Sequence, residues 1–209
     1  MSDASTLPSL LGSLATSYAL VLAVPGPNLL VVLRASVVAP GRDTVLAALG
    51  VACGAAVATA LAAGCASLLP SGPLGRLLGS VVFAVLLARA ALRMLMGTAG
   101  APVDPTRLAP SRGGATFALG LVAAASNPVT IPFFAGFFTA EAHGLMPNAA
   151  PLACLLVFAM AATWFGFVGF VLSRPPLRRL VAAGGRWMRL GIAGALLGMA
   201  VLALWRVAN

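Results

Sequence analysis

Six apolar stretches, each long enough to cross a bilayer as a helix, follow one another near residues 9–38, 44–69, 73–97, 115–140, 148–173 and 187–207. A hydrocarbon core about 30 Å thick is spanned by roughly 20 apolar residues in a helix. Such a segment must satisfy its backbone hydrogen bonds internally, and a helix does so within itself. Only 8% of the 209 residues are charged and 61% are hydrophobic, with a mean hydropathy of +1.05. A soluble domain carries about 25% charged residues. A water-facing surface cannot be made from so few, so most of the surface must meet lipid.

The charges that remain read as orientation signals. All 13 basic residues are arginines, against Asp3, Asp43, Asp104 and Glu141, and the pI is near 11.7. The arginines punctuate the apolar runs instead of lining one face, and no aromatic residues accompany them for base stacking, so nucleic acid is excluded as a partner. Linkers after spans one, three and five carry eleven arginines; the opposite side carries only Arg76 and Arg206. The positive-inside rule therefore puts the odd-numbered loops in the cytoplasm and both termini outside, in the periplasm of a bacterial inner membrane. The leader holds Asp3 and no basic residue, unlike a cleaved signal peptide. Cys53, Cys65 and Cys154 are odd in number and lack metal-ligand spacing, so they read as small packing residues, and no metal or cofactor is expected.

The longest break, the proline-containing linker 98–114, divides the chain into halves of three spans, 1–97 and 115–209. Each half enters the membrane from the side opposite to the other, as an odd number of spans requires. The expected fold is an all-α membrane protein of six transmembrane helices, built as two inverted three-helix repeats.

Within span one lies Val24-Pro25-Gly26-Pro27-Asn28, and within span four Ser126-Asn127-Pro128-Val129-Thr130-Ile131-Pro132. Proline has no N–H, so each one frees the carbonyl four residues earlier. In hydrocarbon a freed carbonyl costs several kcal/mol unless protein, water or ligand satisfies it. Gly26 adds backbone freedom, and each asparagine adds a carboxamide that both donates and accepts. The first helix of each half is thus proline-broken beside an asparagine. Paired interruptions point to a transporter's binding site near the bilayer midplane; two packing kinks are the alternative reading.

These residues carry a resemblance. The Pro25-Gly26-Pro27-Asn28 run, followed by Arg34 and by Gly41-Arg42, is similar to the signature of the LysE/RhtB family of amino-acid and small-metabolite exporters. Asn127-Pro128, the aromatic pair Phe133-Phe134, and Gly50, Gly54 and Gly64 fit the same pattern over essentially the whole chain. The resemblance implies a six-span secondary exporter of amino acids or related small polar solutes, with protons as coupling ion, often a homodimer. The paired breaks themselves make Pro25, Gly26, Pro27, Asn28, Ser126, Asn127, Pro128 and Thr130 the candidate substrate contacts. Some polar positions common in relatives are absent: Val129 stands where many have lysine, Ala58 where the amino-acid exporters have histidine, and Val82-Phe83 where a tyrosine is found. Thr163 stands in place of a span-five aspartate and inherits its candidacy.

Three further candidates lie nearer the loops. Asp43 begins span two, where it is suited to an arginine partner, to a substrate ammonium, or simply to the positive end of its helix. Arg34 suits a substrate carboxylate or ordinary snorkelling. Glu141 and His143 read as a proton-release pair or as solvated loop residues. Gly50-xxx-Gly54, Gly75-xxx-Gly79 and Gly194-xxx-Gly198 permit close helix approach. No acid–base or nucleophile set converges within the spans, which disfavours a membrane enzyme. A channel or a non-transporting membrane partner remains the competing reading.

Overall fold

The computed structural model describes residues 3–23, 26–38, 40–67, 73–96, 113–127, 130–141, 149–174 and parts of 190–205. Seven helices are delimited: α1 Asp3–Ala23, α2 Pro27–Val38, α3 Arg42–Ser67, α4 Pro73–Leu95, α5 Gly113–Ala125, α6 Thr130–Glu141 and α7 Ala149–Leu172. The described residues between 190 and 205 are helical too, and no strand occurs among the described residues. By length and apolar composition, α3 and α7 are each long enough to cross a bilayer unbroken.

Spans one and four are each divided in two, as the prolines predict. Span one becomes α1 and α2 around Gly26, and span four becomes α5 and α6 around Asn127. Both second helices start in the same way. Gly26 O accepts from Leu29 N at 3.0 Å and Leu30 N at 3.3 Å, and Asn127 O accepts from Ile131 N at 3.3 Å. Pro27 is the first residue of α2, where its missing N–H costs nothing and its fixed φ suits the helix. The helix of span one begins at Asp3, ahead of the apolar run, since backbone pairing does not require apolar side chains.

α3 is the central helix and packs against α2, α5, α6 and α7. Its inward residues are small: Ala47, Ala48, Val51, Ala52, Ala55, Ala58, Thr59 and Ala62 are all buried. In lipid no hydrophobic force draws helices together, so close van der Waals approach has to do it, and small side chains allow that. The closest crossing is α3 on α5. A Cβ on Gly50 or Gly54 would collide with the carbonyl oxygens of Phe117 and Leu121, and one on Gly120 would sit 2.6 Å from Ala47 O. Thr116, Gly120 and Ala124 form the buried i, i+4, i+8 stripe of α5. The Gly50-xxx-Gly54 pair thus works within the bundle, whereas a Cβ on Gly194 or Gly198 would meet nothing within 4 Å. Outward positions carry large apolar residues, among them Leu61, Val85, Val122, Leu155, Phe167 and Phe170, as a lipid-facing surface requires.

Candidate functional site

The two interrupted helices meet at their asparagines. Asn127 Nδ2 donates to Asn28 Oδ1 at 3.1 Å, across 99 residues of sequence, and both side chains are buried. Asn28 is the second residue of α2, and Asn127 precedes α6. The α2 and α5 segments that flank the breaks have 12 and 13 residues, about 18 and 20 Å of helix. The junction is therefore about 18–20 Å of helix from the far ends of α2 and α5.

Four helix ends adjoin this hydrogen bond along the chain. α2 and α6 begin there, and α1 and α5 end just before it. Ser126 turns the end of α5: its backbone N and its hydroxyl both donate to Val122 O, at 2.9 and 2.6 Å. The hydroxyl thus adds a second donor to a carbonyl that the backbone already engages. Thr130, the first residue of α6, is 3% exposed and stands one turn past Asn127. Gly26 is half-buried and Pro27 exposed. Pro25 and Pro128 lie outside the described residues.

Beyond the pair, along α6 and back along α1, sits an aromatic cluster. Tyr18, the chain's single tyrosine, lies 5.2 Å from Phe134 and 6.0 Å from Phe133 between ring centroids. Phe133 meets Phe134 at 5.1 Å edge to face, and Phe137 meets Phe138 at 5.7 Å. These are the offset and edge geometries that aromatic quadrupoles favour.

The remaining candidates do not join the pair. Thr163 is on the exposed face of α7, because the inward stripe Ala153, Val157, Ala161, Phe165 and Gly169 repeats every four residues and leaves position 163 on the other side. Arg34 is half-buried on α2, six residues or about 9 Å along the axis from Asn28. Asp43 stands in the first turn of α3 beside the start of α5, where a Cβ on Gly113 would be 3.5 Å from its Oδ1. The two helices run parallel there, and a carboxylate between two positive helix ends offsets their mutual repulsion. Gly113 is 14 residues before Asn127, about 21 Å of helix, so Asp43 belongs to the mouth of the bundle and not to its centre. Glu141 is the last residue of α6, and His143 lies outside the described residues.

Several buried polar residues had no signal in the sequence. Thr59 is fully buried on α3, one position after Ala58, and donates to Ala55 O at 2.8 Å. Ser36 donates to Leu33 O at 2.7 Å. Thr44 is buried beside Gly169 with its Oγ1 unpartnered. A single threonine in an apolar run gives no indication of which side it faces. Thr116, not singled out from the sequence, did carry one signal, its four-residue spacing to Gly120 and Ala124.

No curated protein and no solved structure matches the chain. A family model described as LysE type translocator matches residues 19–206, a range that takes in Tyr18's neighbours, both asparagine motifs and all of α2 to α7. The protein is a membrane protein, and it belongs to the LysE type translocator family.

Proposed function

We propose that the protein is a secondary active exporter of amino acids or related small polar metabolites, working in the bacterial inner membrane with protons as the coupling ion. The observation that carries this reading is the buried Asn127–Asn28 hydrogen bond, which joins the two interrupted helices at one point. Interrupted helices expose backbone donors and acceptors at membrane depth, where a solute exchanges its hydration for them. Rocking of one half against the other would open the junction alternately to each side.

The inverted repeat belongs to the same proposal. A two-fold axis in the membrane plane exchanges α1–α2 with α5–α6 and α3 with α7. The packing pattern supports it: α3 rests on α5 and α6, and α7 rests on α1 and α2. Asn28 and Asn127 then take equivalent places and meet near the axis. The homodimer implied by the family resemblance would use outer faces of the bundle and leave this junction intact.

Transport is tested with the full chain in proteoliposomes loaded with unlabelled amino acids, by following labelled solute with and without an imposed pH gradient. Saturable exchange, accelerated by the gradient, is expected. Flux that follows concentration alone and does not saturate would establish the channel reading instead.

Orientation has its own test. A reporter active only in the periplasm, fused after Asn209, should be active, and one inserted near Asp104 should be silent. The reverse pattern would overturn both the outside placement of the termini and the cytoplasmic placement of linker 98–114.

A further inference from the structure

The junction is polar, yet it is built without a formal charge. α2 and α6 begin there and α1 and α5 end there, and each helix end acts as about half a charge, positive at the start and negative at the finish. Two of each sign sum to roughly zero. The side chains at the contact, Asn28 and Asn127, are neutral carboxamides.

The surrounding helices add almost no formal charge. α1 after Asp3, α3 after Asp43, α5, α6 before Glu141, and α7 contain no Asp, Glu, Lys, Arg or His. On α2 the only ionisable residue is Arg34, about 9 Å along the axis from Asn28 and so beyond ion-pair contact with a solute held at the pair. α4, which packs on α6, carries Arg76, Arg89 and Arg93, and Arg89 is exposed. Asp43 is about 21 Å away at the mouth.

We propose that the Asn28–Asn127 junction selects solutes of zero net charge, zwitterionic amino acids above all, and rejects net cations and net anions. This rests on the exporter reading and sharpens it. A zwitterion matches the arrangement end for end. Its carboxylate takes backbone N–H groups in the first turns of α2 and α6, at Asn28 and Thr130, and its ammonium takes carbonyls in the last turns of α1 and α5. A lysine solute brings a second ammonium for which no carboxylate waits, and a glutamate solute a second carboxylate for which no guanidinium is in reach. An ion held in a low-dielectric site without a partner is strongly disfavoured.

The test is counterflow in proteoliposomes containing the full chain, with labelled leucine, threonine and serine as net-neutral probes, lysine as the net cation and glutamate as the net anion. The net-neutral probes are expected to exchange at least about tenfold faster than lysine or glutamate. Lysine or glutamate exchange as fast as leucine would overturn the inference and leave the exporter reading standing. Exchange of no probe at all would overturn the exporter reading itself. A second arm uses Asn28→Asp, which still accepts from Asn127 Nδ2 and adds one negative charge, with rates read at alkaline pH where the carboxylate is ionised. The lysine-to-leucine ratio is expected to rise at least about tenfold. An unchanged ratio in a variant that still exchanges leucine would overturn the siting of selectivity at this pair. If the variant does not reconstitute, the wild-type comparison decides alone.

Discussion

Replacement of Asn127 by alanine is expected to lower transport by about 10- to 100-fold, the worth of one or two hydrogen bonds to a charged solute group. Asn28→Ala should have the same effect, because each asparagine is half of one buried contact. Backbone hydrogen bonds at the break, such as Ile131 N to Asn127 O, do not depend on the side chain, so the helix start survives. Stability should change little, since hydrogen bonds between helices in a bilayer average about 0.6 kcal/mol and rarely exceed about 1.7. Each single variant removes one member of the Asn127–Asn28 hydrogen bond, and the double variant removes both. The double variant should therefore be more stable than the two single losses added together, with a coupling of about 0.5–1.5 kcal/mol. Transport rate in proteoliposomes and unfolding in detergent are the paired measurements. Single variants that fold and transport normally would reduce the pair to a packing contact.

Gly54→Leu is expected to give the largest loss of stability. A Cβ at Gly54 already collides with the carbonyl oxygen of Leu121 and would sit 2.8 Å from the Cβ of Ala124. Backbone cannot swing aside as a flexible side chain does, so α3 and α5 must separate. Overpacking of this kind costs about 3 kcal/mol or more. For a chain of this size that is a fall in melting temperature of roughly 6–12 °C. Separation of α3 from α5 also draws Asn127 away from Asn28, so transport should fall together with stability. Gly12→Ala is the control, since a Cβ there meets nothing within 4 Å. It should be neutral or slightly stabilising, as alanine is in a helix. A Gly54→Leu protein that melts with the parent would show that the α3–α5 crossing is not as close as described.

Much of the candidate site was legible before any tertiary contact was known. Pro25, Pro27, Pro128 and Pro132 mark the breaks because a missing N–H is a local property that no packing restores. Their places in the two halves suggested a pair, and the Asn127–Asn28 hydrogen bond joins them. Asp43, Arg34 and Thr163 were a different case. Their chemistry suited a solute, but their distance from the break depends on helix register and on which face turns inward. Asp43 and Arg34 proved to lie about 21 and 9 Å away along their neighbouring helices. Thr163 turned outward, two residues out of step with Ala161 and Phe165. Thr59 and Thr44 turned inward with nothing in the sequence to distinguish them from Thr163.

By itself the sequence determined the solvent, the helices and their interruptions. These follow from apolar run length, charge content and the position of proline, each a property of residues taken singly or in short windows. Tertiary structure alone decided that Asn127 donates to Asn28, that Tyr18 closes on Phe133 and Phe134, and that Gly50 and Gly54 receive the backbone of α5. The physical reason lies in the lipid. Nearly every face of these helices is apolar, so hydrophobicity does not mark which one turns inward. What selects the inward face is close fit between small residues and the pairing of a few carboxamides, and both exist only once distant helices are side by side.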